Sequence, residues 1–499
     1  MSNVPDDESR ARIGETTKQV SADRAGTPQR AEPAKPSKIS WLVFSVPILA
    51  IIIPVAVWFA PLHLNPTAKH ALAITSFMII AWITEALDHA VTGLIGCYLF
   101  WALRVVPFGT AFSGFANDTA WFLFGAMLFG MMATKSGLAR RLAYLVILRL
   151  GTTYSRILLG LIVSGFLLTF LVPSSMARIV VMAAVAIGLI EAFGLGRGSN
   201  VGRGMFVILT YTANIFDKMM IGGVPSILAR GLIEKVGHVE ILWSRWFLAF
   251  LPCSLLTILV SWRLTLRFYR PEKGALPGGI AFIKEELRRM GGWTALERRS
   301  LSLMLIAISF WMTDFLHHLS PVLVALGIGL FALLPRVGVL EIGDLRGLNY
   351  LPIFFVASAI SMGEVLISTK AVDVLTNVLF AWMAPLLTHT FSLTFVLYWT
   401  AFVYHFFLAS ETSMLGTSIP VLMNFATSHG LNALQVGMIW TFASGGKIFL
   451  YQSAVLIVGH SYGYFQSRDL LRIGTWLTIV EAIILILLVP FYWPLIGIR

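Results

Sequence analysis

Five charged side chains stand inside otherwise apolar stretches: Arg178, Asp217, Lys218, Glu411 and Lys447. Arg178 is the only Asp, Glu, Lys or Arg between Arg156 and Glu191, and Glu411 and Lys447 are the only ones between Asp373 and Arg468. An ionised group inside a bilayer costs roughly 2.5–3.5 kcal/mol or more unless it is paired or hydrated, so such residues are functional candidates. Each borders a cluster of small polar residues. Ser174 and Ser175 precede Arg178, Gly222 and Gly223 follow Asp217-Lys218, Ser410 and Thr412 flank Glu411, and Gln452-Ser453 follows Lys447. A guanidinium can fork onto a carboxylate or sulfate, a buried carboxylate can carry a proton, and serine or threonine hydroxyls can orient an anion. A purely structural use is also open: Arg178 pairing with Asp217, and Glu411 with Lys447, would lock these segments together without excluding function.

The elements that hold these residues belong to a membrane. The 499-residue chain is 57% hydrophobic and only 12% charged, with a mean hydropathy of +0.81, whereas soluble chains carry roughly 25% charged residues. The reading is an all-α polytopic protein. Cys97 and Cys253 are two cysteines in apolar stretches and form no disulfide scaffold. The net charge of +12 follows the cytoplasmic loops rather than nucleic acid. Residues 1–38 are polar with mixed charge and read as a disordered cytoplasmic tail. The first apolar segment, from Trp41, reads as a retained anchor. Spans are predicted near 41–60, 70–87, 89–105 and 119–134, followed by a loop of five basic residues from Lys135 to Arg156. Residues 157–190, interrupted at Pro173-Ser174-Ser175, read as a re-entrant hairpin. A span over 204–235, broken at Gly222–Pro225, and another over 245–266 lead to a polar cytoplasmic linker, 267–299.

The second half repeats the first. Spans near 301–316, 320–336 and 349–368 precede a hairpin at 390–426 broken at Ser410, a span over 433–466 broken near Gln452, and a last span over 470–497. About eleven spans and two hairpins result, divided into repeat units 39–266 and 300–499. Six spans separate tail and linker, so the second hairpin enters from the opposite side: an inverted-topology repeat. Helices broken at matching places point to a substrate site near the midplane, where half-helix N-termini face an anion and unwound carbonyls face a cation.

Trp82-Ile83-Thr84-Glu85-Ala86 followed by Val91-Thr92 resembles the W-x-T-E-A…V-T signature of the divalent anion/sodium symporter family. Phe124-Gly125, Thr134 to Leu138, Ser174-Ser175-Met176-Ala177, Ser410-Glu411-Thr412-Ser413, Ile221 to Ser226 and the run from Gly459 to Pro494 are similar in the same order, covering almost everything after residue 40. The resemblance implies a scaffold and a transport domain built from the two hairpins and broken helices, an elevator mechanism, a homodimer in the cell membrane with a cytoplasmic N-terminus, and di- or tricarboxylates or sulfate as cargo. It also implies sodium sites at the two Ser-Asn-Thr tips, which places Ser174, Ser410 and Thr412 as sodium ligands. Ser174, Ser175, Arg178, Gly222, Gly223, Ser410, Thr412 and Ser453 become the expected substrate-binding residues.

The tips depart from that pattern. Asparagine is replaced by Ser175 and by Glu411, and threonine by Met176, whose thioether is a poor ligand for sodium. Reduced sodium dependence is expected, with Lys447 standing in for a sodium ion, Glu411 as a protonatable coupling residue, and Asp217 and Lys218 beside them. Proton coupling, exchange and uniport all stay open. Glu85 and Asp88 fit either function or a tight turn, and Glu481 fits a structural role. His317 and His318 are too isolated for a metal site. With no P-loop, metal cluster or nucleophile motif, no catalytic residue, enzyme activity or organic cofactor is expected. The alternative is a transport-inactive sensor or structural membrane protein on the same fold.

Overall fold

The computed structural model describes residues 40–408 and 410–498, and side chains from Leu49 onward. The tail expected at 1–38 lies outside the described residues. The described residues from Pro47 onward form one compact unit. Regular structure among the described residues is helical, apart from one isolated bridge between Thr153 and Ala275.

The chain begins with α1 (Ser40–Phe59), α2 (Pro66–Thr84) and α3 (His89–Ala102). Trp82 closes the turn between the last two by donating its indole N–H to the His89 carbonyl at 3.0 Å, and the Asp88 carboxylate accepts from the backbone N–H groups of Ala90 and Val91, a carboxylate cap on a positive helix end. Helix α4 (Asp118–Ser136) ends at Gly137, which takes a φ of 77°, and the chain turns by 70° into α5 (Leu138–Leu150). The basic segment expected as a loop at 135–156 is therefore helical for most of its length: Leu138, Ala139, Ala143 and Ile147 recur at helical spacing and are buried while Arg140 and Arg149 are exposed.

Helices α6 (Tyr154–Leu171) and α7 (Ser175–Ala192) form a hairpin. An interrupted span follows, α8 (Asn200–Met220) and α9 (Val224–Gly237), then α10 (Trp243–Phe268). The linker contains one helix, α11 (Gly279–Arg289), against which α5 docks. Arg140 bonds Glu286 at 3.2 Å, and Arg141 bonds Glu297 at 2.6 Å and the carbonyls of Met290, Gly291 and Gly292.

The second half begins with α12 (Ala295–Met312), α13 (Pro321–Phe331) and α14 (Leu351–Ser368). Close approach of α13 to α4 requires Gly125, where a Cβ would lie 2.7 Å from the Ala325 carbonyl carbon. Lys135 at the end of α4 bonds Asp344 at 2.7 Å, and that hydrogen bond holds the Asp344 carboxyl below the usual carboxylate range. There follow α15 (Ala371–Leu379), the hairpin α16 (Thr390–Phe407) and α17 (Glu411–Ser428), the interrupted pair α18 (Ala433–Ala443) and α19 (Ala454–Ser461), and α20 (Ser467–Phe491). The order from α14 repeats the order from α4: long helix, short helix, hairpin, interrupted span, closing helix.

Seven described helices are long and apolar enough to cross a membrane, or eight with the bent pair α4 and α5 counted as one. The sequence expectation of eleven spans counts other segments as well. His89–Ala102 and Pro321–Phe331 are apolar but short, and the spans at 204–235 and 433–466 are divided at their breaks.

Candidate functional site

The first hairpin turns where Val172, Pro173 and Ser174 leave the helical conformation. Ser174 caps α7, its hydroxyl accepting from the Ala177 N–H. The facing break follows Ile221, a β-branched residue held at a φ of 51°, a conformation costly enough to be kept only where the surroundings enforce it. Gly222 and Gly223 lead from there into α9. The second hairpin turns around Ser410, the residue before α17, and its facing break runs from Ser444 to Ser453 before α19 resumes.

These four helix starts converge on one cavity of about 340 Å³. Ser174, Ser175 and Met176 line it from the first tip, and Ser410, Glu411 and Thr412 from the second. Val224 and Pro225 come from the first break, and Ser453, Ala454 and Val455 from the second. Asn214, one turn before Asp217 on α8, joins them and accepts from the Ser453 hydroxyl at 2.8 Å, tying the two halves together. The lining also includes Glu85 from the end of α2, Asp88 and His89 from the start of α3, and Asn349, Leu351 and Pro352 around the start of α14. Helix N-termini carry partial positive charge and unpaired N–H groups, so this convergence suits an anion.

Beside the lining lie the buried charges, of which Glu411 alone reaches the cavity. Arg178 donates to the carbonyls of Val172 at 2.6 Å, Gly222 at 3.1 Å and Ala213 at 2.9 Å, and pairs with Asp217. Ser175 also donates to Asp217. At the second tip Glu411 receives Lys447 at 2.8 Å, Ser444 at 2.8 Å and, across the halves, Lys218 at 2.5 Å. Lys447 also donates to the Ser444 carbonyl at 3.3 Å, and Lys218 to that of Asn214 at 2.9 Å. Within this buried cluster three cations (Arg178, Lys218, Lys447) against two anions (Asp217, Glu411) leave one excess positive charge, while Glu85 and Asp88 add carboxylates on the cavity wall.

Of the residues expected from sequence, Ser174, Ser175, Ser410, Glu411, Thr412 and Ser453 line the cavity; Arg178, Gly222, Gly223, Asp217, Lys218 and Lys447 do not. The expected role of Arg178 as an anion clamp does not match its position, because both terminal nitrogens are taken by protein acceptors and its side chain is buried behind the tip. Gly222 and Gly223 instead allow close approach. A Cβ on Gly223 would lie 2.6 Å from the Asp217 carboxyl carbon, which Arg178 and Ser175 hold in place. Gly223→Ala is expected to cost about 1–3 kcal/mol, read as a lower thermal midpoint of the detergent-purified protein.

The sequence reading missed two features. Asn214 is uncharged, yet it shares a helix face with Asp217 and Lys218 at spacings of three and four residues. The link from Lys218 to Glu411 joins segments almost two hundred residues apart, and no local pattern announces it.

Sodium prefers oxygen ligands. At the first tip the carbonyls of Val172, Gly222 and Ala213 face the Arg178 guanidinium, and at the second break the Ser444 carbonyl faces the Lys447 ammonium. Ser174, Ser410 and Thr412 stand nearby, but these backbone oxygens already serve fixed cations, so the set does not fit two further sodium ions. Among the described residues no cluster of three or more His, Cys, Asp or Glu could hold a metal.

The profile of a family described as the sodium:sulfate symporter transmembrane region matches residues 40–499. A protein named only as a membrane protein, from Cupriavidus necator, is 26% identical over 492 residues, covering 94% of this chain and 95% of its own. Dicarboxylate transporter 2 from the chloroplast of Spinacia oleracea is 24% identical, covering 90% of this chain and 82% of its own. The citrate/succinate antiporter of Escherichia coli is 22% identical, covering 90% of this chain and 97% of its own.

Proposed function

We propose, from the premise that this chain belongs to the sodium:sulfate symporter family and is a multi-pass secondary transporter of small anions rather than an enzyme, that it carries a small dicarboxylate without needing sodium. Relatives named for dicarboxylates, citrate and succinate support that cargo. So does a cavity of about 340 Å³ with positive helix ends at two facing hairpin tips, one for each carboxylate of a four- to six-carbon anion.

One observation carries the sodium-free reading. Arg178 donates to the Gly222 carbonyl at the first break and Lys447 to the Ser444 carbonyl at the second, where a coupling cation would be held. An ammonium fixed to the chain supplies the electrostatic effect of a bound cation in every state of the cycle, so it cannot carry energy from an ion gradient. The transport domain in this reading comprises the hairpins α6–α7 and α16–α17 with their facing broken helices, and moves as an elevator against the scaffold in a homodimer. The N-terminus and the linker face the cytoplasm across the cell membrane. Concentration of basic residues at 135–156 and 267–299, two segments docked on each other through Arg140, Arg141, Glu286 and Glu297, supports that orientation.

The test is counterflow of radiolabelled succinate in proteoliposomes. Rates in choline or potassium medium are expected within about twofold of those in sodium medium, since no sodium step contributes differential binding. Stimulation by sodium of tenfold or more would overturn the reading.

A further inference from the structure

One buried carboxylate has no place in the site described above. Glu481 on α20 is 1% exposed, and its only hydrogen bond among the described residues comes from the Tyr211 hydroxyl to Oε2 at 3.3 Å. Its Oε1 has no hydrogen-bond partner among the described residues, and Thr478 lies one turn earlier on the same face. That face of α20 packs directly on the second break: a Cβ at Gly446 would meet Thr478 at 2.9 Å, and Gly474 lies against the Lys447 carbonyl. Glu481 therefore sits behind the segment that presents Lys447 to Glu411.

Two carboxylates thus share the field of Lys218 and Lys447, with opposite surroundings. Glu411 accepts from two ammonium groups and a hydroxyl, a setting that holds a permanent anion. Glu481 has a single phenol donor and one bare oxygen, a setting in which an ionised form lacks the partners that offset its desolvation. The other groups facing it are Tyr211 and Lys218 on α8, Cys253 on α10, Tyr398 on α16, and Lys447, while His405 on α16 faces Glu411 and Lys447 instead. Cys253 and Tyr398 are uncharged, and His405 spends Nε2 on the Gln452 carbonyl. Protonated, Glu481 leaves the one excess positive charge of the cluster available to an anion; ionised, it cancels that charge.

We propose that Glu481 is the coupling residue of this carrier: Oε1 takes up one proton as the anion enters the cavity and releases it to the opposite side when the anion leaves. Resting on the sodium-free reading above, the proposal assigns the driving ion. The coupling is reciprocal: an anion favours the protonated residue, and the proton favours the anion. It also moves the protonatable role from Glu411, where sequence reasoning placed it, to a residue for which sequence suggested only structure.

The experiment measures succinate uptake into sodium-free proteoliposomes with and without an inward proton gradient, for the wild type and Glu481→Gln. The wild type is expected to show stimulation of about fivefold or more, the lower end of ordinary coupling between sites, and the ratio should fall to about one in Glu481→Gln. If that variant does not fold, Tyr211→Phe removes the sole donor to the carboxylate and is expected to move the pH midpoint of stimulation by about half a unit or more. A ratio in Glu481→Gln still within twofold of the wild type, or an unmoved midpoint in Tyr211→Phe, overturns the proposal. A wild type with sodium-free counterflow but no response to the gradient also overturns it, leaving the sodium-free reading intact. A wild type without sodium-free counterflow overturns both.

Discussion

Glu411→Gln is expected to abolish transport, by more than about tenfold, and to destabilise the protein by about 3–5 kcal/mol, the usual consequence of removing one partner from a buried ion pair. The amide matches the carboxylate in size, so the loss is electrostatic. Lys218 and Lys447, both fully buried, keep their positions within hydrogen-bond distance but lose the anion they pair with, and the excess charge of the buried cluster rises from one to two. The double variant Glu411→Gln with Lys447→Met restores the original excess, because one cation leaves with the anion. Its stability is expected to recover toward the wild type, and the double-mutant cycle should return a coupling energy of about 1–3 kcal/mol. Thermal midpoints of the four proteins in detergent check this. Additive losses would show that Glu411 and Lys447 do not depend on each other. Transport is a separate readout: if the double variant regains stability and sodium-free counterflow remains absent, the ammonium itself, and not merely charge balance, is required at the second break.

The residues at stake were visible in the sequence because charge is scarce there. Arg178, Glu411 and Lys447 each stand alone in long apolar stretches, and the small polar residues beside them mark the places where helices break. Partners were less legible. Asp217 and Lys218 are neighbours in sequence, but successive residues point about 100° apart on a helix, so Asp217 turns to the first tip and Lys218 to the second. Which tip each one meets depends on how the two halves face each other, a long-range fact with no local signature. Glu481 was visible as a charge in the last span, yet its meaning lies in the missing partner of Oε1, which only the packing of α20 on the second break reveals. The helix at Leu138–Leu150 escaped for another reason. Its basic residues mark a membrane side, whereas the helix itself rests on the short stripe of Leu138, Ala139, Ala143 and Ile147 beneath them.

The second large effect separates a structural arginine from a binding one. Arg178→Met is expected to cost about 3–5 kcal/mol, since Asp217 is left buried without its cation and the carbonyls of Val172, Gly222 and Ala213 lose the donor that ties the first tip to its break. Arg178→Lys keeps the charge but not the fork. One ammonium on a shorter reach cannot serve three carbonyls and a carboxylate arranged around a planar guanidinium, so an intermediate loss of about 1–3 kcal/mol is expected. Anion affinity discriminates the roles. Arg178 does not line the cavity and its terminal nitrogens are already engaged, so folded Arg178→Lys protein should bind succinate within about twofold of the wild type, the change of a residue that leaves the cavity contacts in place. Stabilisation by succinate, measured as the shift in thermal midpoint over a range of anion concentrations, gives that affinity independently of transport. An affinity tenfold weaker in a variant as stable as the wild type would place the guanidinium on the anion itself. A less stable variant with affinity retained would make Arg178 the fixed cation that holds the first tip closed on its break.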